Sequence, residues 1–194
     1  MKKVFRDRKP FIYLASRSAR RRELLKEAGF NFKVVSSNFK ERTYSGGPSR
    51  TVVLNAVGKV KRARIPSKRG IVLGADTMIY FKKKLIGKPK SMREAFTMLK
   101  NFSGSTHYVY TGIVLFNLTT RQWNREFVRS KIKMRKFTGE RIRYYLNKVN
   151  PLDKAGAYAI QERGDELVEN IKGSYTNVIG LPMEKLKSMI AKLL

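Results

Sequence analysis

The sequence predicts an α/β protein, because short apolar segments typical of strands alternate with amphipathic segments typical of helices along the chain. The strongest strand-like segment is GIVLGADT, residues 70–77, an apolar run that ends at an acid. The apolar fraction of 42% is sufficient for a substantial core and excludes a disordered tail. With 194 residues, the chain is long enough for one domain or one domain of two lobes.

The first elements follow the order strand, helix, strand. Residues 11–16, FIYLAS, predict a buried strand, and a helix follows over residues 19–28 with Ser18 as its N-cap. Residues 32–36, FKVVS, predict a second strand. Residues 41–49 contain two glycines and a proline and therefore predict a loop.

The middle of the chain continues the alternation. Apolar residues at helical spacing predict a helix over about residues 50–64, and the strand at 70–77 is followed by a predicted short hairpin at 78–87. The next helix begins with a capping box, in which Ser91 is followed by Glu94, and ends near residue 104.

The last third of the chain begins with two long predicted strands, residues 107–118 and 122–137. The helix at 139–149 ends before an Asn-Pro pair, because a residue that precedes proline disfavours helical geometry. Residues 181–194 predict an amphipathic helix. Residues 153–180 are irregular and rich in glycine and polar residues, and such segments in compact domains are more often functional than idle.

Charge separates this chain from an average protein, since 43 Lys and Arg face 14 Asp and Glu, a formal net charge of +29. This field attracts polyanions, so nucleotides and non-specific nucleic-acid binding are both candidate partners, although a solvated basic surface is an alternative. The absence of cysteine excludes disulfides and zinc–thiolate sites. Neither a membrane-spanning apolar run nor a signal peptide is evident, so we expect a soluble cytoplasmic protein without membrane association.

Three arginines, Arg20, Arg21 and Arg22, occupy the first turn of the first predicted helix. Cations at a helix N-terminus are unfavourable by roughly 0.3–1 kcal/mol each. A bound anion would relieve this repulsion, because free backbone N–H groups and guanidinium forks bind dense anions. The pattern therefore favours an anion site, with arginines extended into solvent as the alternative.

Two carboxylates are candidates for metal or proton chemistry. Asp76 lies at the end of the strand at 70–77, where ligand crevices open in α/β sheets, and it could bind Mg²⁺ or accept a proton from water. Glu41 enters a loop directly after a strand and could supply a second oxygen ligand. A turn-capping Asp76 and a solvated Glu41 are the alternatives.

Among the lysines, Lys59, Lys88 and Lys154 have the most constrained sequence contexts. His107 is the one histidine of the chain. Because no G-x-S-x-G nucleophile motif accompanies it, we expect His107 to be structural or peripheral. No Walker A loop and no G-x-G-x-x-G motif is present.

Four blocks of the sequence form a recognisable set. The first is LASRSARRRELL, the second LGADTMI with GKP, the third EAFTMLKNFSGSTHYVYTGI, and the fourth DKAGAYAIQ with IKGSYTNVIGLP. Each block alone is weak evidence, but they occur in order over nearly the whole chain. Together they resemble the Maf family of nucleoside triphosphate pyrophosphatases, in which the first block has the motif S-x-S-P-R-R-x-E-L-L.

The resemblance implies an elongated mixed β-sheet flanked by helices, with a cleft between two lobes of a single domain, residues 1–194. It also implies hydrolysis of a nucleoside triphosphate to the monophosphate and pyrophosphate with Mg²⁺ or Mn²⁺. The substrate-binding residues by resemblance are Ser16, Arg20, Arg21, Lys59, Lys88 and Gln161. Glu41 and Asp76 would hold the metal, and Asp76 would be the catalytic proton acceptor.

Four positions depart from the family motifs. Ala19 stands where the first motif has proline, and Lys40 stands where an acid usually precedes Glu41. The lysine motif L-A-x-x-K-A is here NAVGKV, which keeps only Ala56 and Lys59.

The arginine pair and the ADT block resemble the dTTP/UTP type of the family more than the 7-methyl-GTP type. Because Lys40 removes one potential metal oxygen, a non-catalytic nucleotide-binding member is an alternative, and a basic nucleic-acid-binding protein is another. A homodimer is left open.

Overall fold

The computed structural model describes residues 9–194, and the initial segment MKKVFRDR, to which the expectation on signal peptides partly refers, lies outside the described residues. The helices are α1 (Ala19–Glu27), α2 (Gly47–Lys61), α3 (Met92–Phe102), α4 (Gly139–Lys148), α5 (Tyr175–Ile179) and α6 (Met183–Ala191). The strands are β1 (Ile12–Leu14), β2 (Phe32–Val34), β3 (Ile71–Phe81), β4 (Lys84–Ile86), β5 (Thr106–Asn117), β6 (Trp123–Met134) and β7 (Val168–Lys172). Two single-turn 3-10 helices lie between α4 and β7.

The seven strands form one mixed sheet in the order β2-β1-β3-β5-β6-β7, with β4 paired to the last part of β3. β1 is parallel to both β2 and β3, whereas β3, β5, β6 and β7 are antiparallel neighbours. The predicted α/β fold with a mixed sheet flanked by helices is therefore confirmed. Within residues 9–194, no helix has both the length and the apolar composition needed to cross a membrane.

β3 is one continuous strand of eleven residues, so the predicted strand at 70–77 runs without a break into the first arm of the predicted hairpin at 78–87. The hairpin itself is confirmed, with β4 as its second arm. Its start pairs with β1 as far as Leu73, and its end pairs with β4 from Ile79 onward. The stretch between these two pairings therefore has a neighbouring strand on one side only, namely β5. Asp76 lies in this stretch, in the middle of β3 and not at a strand end as predicted. A crevice still opens beside it, because β1 ends while β3 continues.

The other differences from the sequence predictions concern short elements and helix ends. β1 and β2 each contain only three paired residues, and α2 begins at Gly47, since Pro48 suits the first turn of a helix. The segment 153–180, which we predicted as irregular, contains β7 and α5. These elements of five residues each are too short to give a clear periodic pattern.

The apolar core divides into three clusters along the sheet. One cluster packs α1 and α6 against the sheet around Leu25, and another packs α3 and α4 around Phe102. The third lies under α2 around Val60. β3 contributes residues to all three clusters and so runs through the whole core. That the chain is a single domain over residues 1–194 stays a prediction.

Two glycines allow α2 to approach the sheet closely. A Cβ atom at Gly74 of β3 would lie 2.5 Å from the carbonyl oxygen of Ala56, and one at Gly112 of β5 would lie 2.5 Å from that of Val52. Both neighbouring atoms belong to the backbone of α2, which cannot move aside as a side chain can. The glycines therefore set the distance between α2 and β3.

We predict that Gly112→Ala lowers the free energy of unfolding by about 1–3 kcal/mol, because the added methyl group forces α2 away from the sheet. Urea unfolding followed by circular dichroism measures this loss. Gly87→Ala is the matched control, since no described atom lies within 4 Å of a Cβ at that position. Equal stability of the two variants would contradict the close approach.

Candidate active site

One cavity of about 770 Å³ lies beside the middle of β3, between the N-terminus of α1, α2 and the segment that follows α4. Its walls include every residue that the family resemblance implies for the site. These residues are Ser16, Arg20, Arg21, Glu41, Lys59, Asp76, Lys88 and Gln161. The structure thus brings together side chains that are separated by up to 145 positions, from residue 16 to residue 161, in the chain.

Lys59 lies between the two predicted metal ligands. Its Nζ atom is 2.8 Å from Oδ1 of Asp76 and 2.6 Å from Oε1 of Glu41, and it also donates to the carbonyl oxygen of Ala75 at 3.0 Å. Asp76 is 3% exposed, whereas the Glu41 side chain is 57% exposed. The pair therefore consists of one fixed, buried carboxylate and one that faces the solvent.

Asn55 holds the second oxygen of Asp76 and was missed by the sequence analysis. Its Nδ2 atom donates to Oδ2 of Asp76 at 2.9 Å, and its Oδ1 atom accepts from the backbone N–H of Arg42 at 3.0 Å. Asn55 and Lys59 are four residues apart on α2, so both side chains reach the same carboxylate from one helix face. The signal in the sequence was an amide in NAVGKV, at a position where the family motif has leucine.

The protein keeps Asp76 ionised. Burial alone would raise the pKa of Asp76, but the charge and hydrogen bond of Lys59, the hydrogen bond from Asn55 and the charge of Arg21 together lower it. Asp76 is therefore a carboxylate at neutral pH, with a negative charge that faces the cavity.

Arg21 is buried and bonded to protein groups in three directions. It donates from Nε to the carbonyl oxygen of Gly180 at 2.8 Å, and from its two terminal nitrogens to hydroxyls of Ser16 and Thr77, each at 2.9 Å. Burial lowers the pKa of Arg21, while the charges of Asp76 and Glu41 oppose this shift. Arg21 thus joins α1 to β3 and to the residue after α5.

The other arginines of the turn differ from Arg21. Arg20 is half-buried, lines the cavity, and donates to the carbonyl oxygen of Asp153 at 3.4 Å. Arg22 is exposed and lies away from the cavity walls. Ser18 occupies the N-cap position, but within the described chain its hydroxyl accepts no capping hydrogen bond. Ser18 is therefore the N-cap residue, as predicted, although its side chain does not cap the helix.

The three lysines that the sequence singled out have different environments. Lys59 is in the carboxylate cluster, and Lys88 is exposed on the cavity wall. Lys154 is 2% exposed and lies 2.7 Å from Oδ1 of Asp153 and 3.1 Å from Oε1 of Glu162. Its buried ammonium group therefore pairs with two exposed carboxylates of the cavity wall, while Lys154 itself does not line the cavity.

Part of the cavity wall is apolar and was not predicted. Its side chains come from four places: β3, β5, α5, and the segment that follows α4. They are Ile79, Val109, Val178, Tyr158 and Ile160. In the sequence these residues cannot be distinguished from core residues. They give the cavity an apolar surface next to its charged groups.

His107 lies in the core behind this wall and is structural, not peripheral. It is fully buried, its Nε2 atom is 2.8 Å from the Tyr158 hydroxyl, and its ring stacks on Phe102 with centroids 4.6 Å apart. Burial lowers the pKa of His107 to about 4, so the imidazole is neutral at physiological pH.

The mixed sheet and the cavity, with arginines at a helix N-terminus facing an ionised carboxylate, define an α/β protein built to hold a phosphorylated ligand. Residues 11–193 match the family model described as Maf-like protein, and the chain belongs to the Maf family.

Curated relatives share about two fifths of their residues with this chain. A Clostridium botulinum (strain Okra / Type B1) protein named dTTP/UTP pyrophosphatase is 40% identical over 187 residues, covering 94% of this chain and 96% of the relative. A Thermoanaerobacter sp. (strain X514) protein of the same name is 42% identical over 182 residues, covering 93% and 95%.

Among solved structures, the Staphylococcus aureus Ham1 protein aligns with a TM-score of 0.53 at 15% identity. The alignment covers 95% of this chain and 100% of that chain, so the two proteins share a fold.

We predict that His107 makes the stability of the protein pH-dependent. The unfolded imidazole binds a proton near its ordinary pKa of 6.5, whereas the folded one stays neutral down to about pH 4. Stability is therefore complete above pH 6.5 and is lost as the pH falls, by about 2 kcal/mol between pH 7 and 5. Because the chain has one histidine, His107→Phe should remove most of this slope in urea unfolding. An unchanged slope would show that His107 is not its source.

Proposed function

We propose that this protein hydrolyses dTTP and UTP to the nucleoside monophosphate and pyrophosphate. The observation that carries the proposal is the assembly of the eight sequence-predicted residues around one cavity that combines cationic, acidic and apolar walls. The names of the curated relatives support the choice of dTTP and UTP.

The triphosphate would lie against the N-terminus of α1. The hydrogen bond from Arg20 to the carbonyl oxygen of Asp153 is long, at 3.4 Å. Arg20 is therefore free to turn the N–H groups at one edge of its guanidinium toward β- and γ-phosphate oxygens. Lys88, exposed on the same wall, adds a second mobile cation. Arg21, by contrast, is bound by protein groups, so its main contribution is to fix Ser16 and the start of α1.

The base would lie against the apolar wall formed with Ile79, Val109 and Tyr158. A planar aromatic ring gains free energy by leaving water for such a surface, while polar groups at the rim distinguish its edges. Gln161 is exposed on the rim and carries both a donor and an acceptor, as recognition of a pyrimidine edge requires.

A divalent cation such as Mg²⁺ or Mn²⁺ fits the acidic side of the cavity. Glu41 and Asp76 already share one cation, the Lys59 ammonium group at 2.6 and 2.8 Å, so both carboxylates face the same part of the cavity. Within residues 9–194, no three or more acidic, histidine or cysteine side chains are grouped so that they could hold one metal ion by themselves. Two carboxylates completed by phosphate oxygens and water are a usual environment for Mg²⁺. Bound there, the ion would neutralise charge that develops on the phosphates.

In the reaction, water attacks the α-phosphorus, the new P–O bond forms as the bond to the bridging oxygen breaks, and pyrophosphate leaves. Asp76 accepts a hydrogen bond from this water and then its proton. The lowered pKa of Asp76 makes it a weak base, so its larger contribution is to orient the water. Lys59 and Arg20 stabilise the charge that accumulates on the leaving group.

A cytoplasmic location and a homodimer are further parts of the proposal that await measurement. Non-specific binding of nucleic acids, which the net charge of +29 favours, would be separate from the cavity and would weaken steeply with salt.

The experiment that tests the proposed function measures pyrophosphate release from a panel of canonical nucleoside triphosphates and 7-methyl-GTP, with and without Mg²⁺. We expect release from dTTP and UTP that requires the cation. A preference for 7-methyl-GTP would contradict the substrate assignment, and the absence of release from every nucleotide would contradict catalysis.

We predict that Asp76→Asn lowers kcat by about 10²–10⁴, because the neutral amide loses the ion pair with Lys59 that fixes the side chain and cannot accept the proton of the attacking water. Steady-state kinetics with dTTP measures the loss. Asp165→Asn is the matched control, since Asp165 is exposed and lies outside the cavity walls. Near-normal turnover of Asp76→Asn would remove Asp76 from the mechanism.

A further inference from the structure

Asn55 connects the buried carboxylate of the site to the loop that carries Glu41. It is fully buried in α2, one helical turn before Lys59. Its carboxamide donates to Oδ2 of Asp76 and accepts from the backbone N–H of Arg42, the residue after Glu41. Both polar ends of one buried side chain are thus used within the site.

These bonds restrict how Asp76 can turn. Oδ1 of Asp76 is bonded to Lys59 and Oδ2 to Asn55, so rotation of the carboxylate would break one of two buried hydrogen bonds. A buried polar group left without a partner costs about 1–3 kcal/mol. The carboxylate is therefore held in one orientation.

The second bond of Asn55 restricts Glu41. Residues 41–46, the last part of the connection from β2 to α2, have no regular secondary structure, and Glu41 itself is exposed. The N–H of Arg42 is anchored to Asn55, while the backbone of Tyr44 is anchored to Thr51 through hydrogen bonds of 3.2 Å. Asn55 is the anchor that also touches Asp76, so the positions of the two carboxylates are coupled through it.

The family motif L-A-x-x-K-A has leucine at the position of Asn55. Leucine can make neither of these hydrogen bonds. The amide of Asn55 therefore gives this chain a connection that the motif residue cannot provide. Burial of an amide is favourable only when its donor and acceptor are both satisfied, as they are here.

We propose that Asn55 is a positioning residue that orients the Asp76 carboxylate and holds the Glu41 loop in register with it. This inference rests on the proposed function, since it assigns Asn55 a role in that reaction. Asn55 contacts neither substrate nor water of the reaction and acts through Asp76 and Glu41.

The test compares three variants by pyrophosphate release from dTTP with Mg²⁺. Asn55→Leu removes both bonds, Asn55→Asp keeps an acceptor for Arg42 but removes the donor to Asp76, and Thr51→Val loosens the same loop without touching Asp76. We expect kcat to fall about 10–100-fold in both Asn55 variants with KM unchanged, as for other residues that orient a catalytic group without contacting the substrate. Thr51→Val should retain wild-type kcat.

A second measurement, amide hydrogen exchange of residues 41–46, does not depend on activity. Exchange at Arg42 should accelerate in Asn55→Leu and stay slow in Asn55→Asp, whereas exchange at Tyr44 should accelerate in Thr51→Val. Thermal unfolding checks that each variant is folded. If Asn55→Leu does not fold, Asn55→Asp, which keeps the size of the side chain, decides the kinetic part.

Two results would overturn the proposal. Wild-type kcat in both Asn55 variants would show that orientation of Asp76 does not need the amide. An equal loss of kcat in Thr51→Val and Asn55→Leu would show that only loop anchoring matters. Inactivity of the wild-type protein on every nucleotide would instead refute the proposed function, and exchange at Arg42 would then decide whether Asn55 holds the loop.

Discussion

The site depends on the compensation of one buried charge. A carboxylate as little exposed as Asp76 is unfavourable unless it is paired and hydrogen-bonded, and both partners, Lys59 and Asn55, come from α2. They reach it because Gly74 and Gly112 let the backbone of α2 approach β3 and β5. The ionised Asp76 carboxylate thus depends on the lack of a side chain at Gly74 and Gly112.

A second buried charge, that of Arg21 in the first turn of α1, is also compensated by hydrogen bonds. Arg21 is held against a carbonyl and two hydroxyls from three parts of the chain, which ties α1 to the unpaired edge of β3. Because Arg21 is fixed in this way, the positive charge that remains available to an anion at the start of α1 comes mainly from Arg20 and the free backbone N–H groups. The three adjacent arginines therefore have three environments: buried and bonded, facing the cavity, and exposed.

The sequence allowed prediction of residues whose charge conflicts with their local context. Asp76 in an apolar strand and Arg20 at a helix N-terminus are of this kind, and both line the cavity. Asn55 and the apolar wall around Val109 could not be predicted, because their role arises from packing between elements distant in the chain. The length of β3 was missed for a similar reason: pairing with β5 continues through residues where β1 has already ended.

The distribution of charge separates the cavity from the rest of the surface. Among residues 9–194, five acidic residues line the cavity, Glu23, Glu41, Asp76, Asp153 and Glu162, and they face five basic ones, Arg17, Arg20, Arg21, Lys59 and Lys88. The chain has 14 acidic residues in all, so more than a third of them are gathered at this one site. Because the charges of these ten residues cancel, the basic excess of residues 9–194 lies outside the cavity, where it raises the local concentration of anions. Four of these carboxylates are held in two ion-paired clusters, Glu41 and Asp76 at Lys59 and Asp153 and Glu162 at Lys154, so each acidic part of the wall is fixed by one largely buried ammonium group.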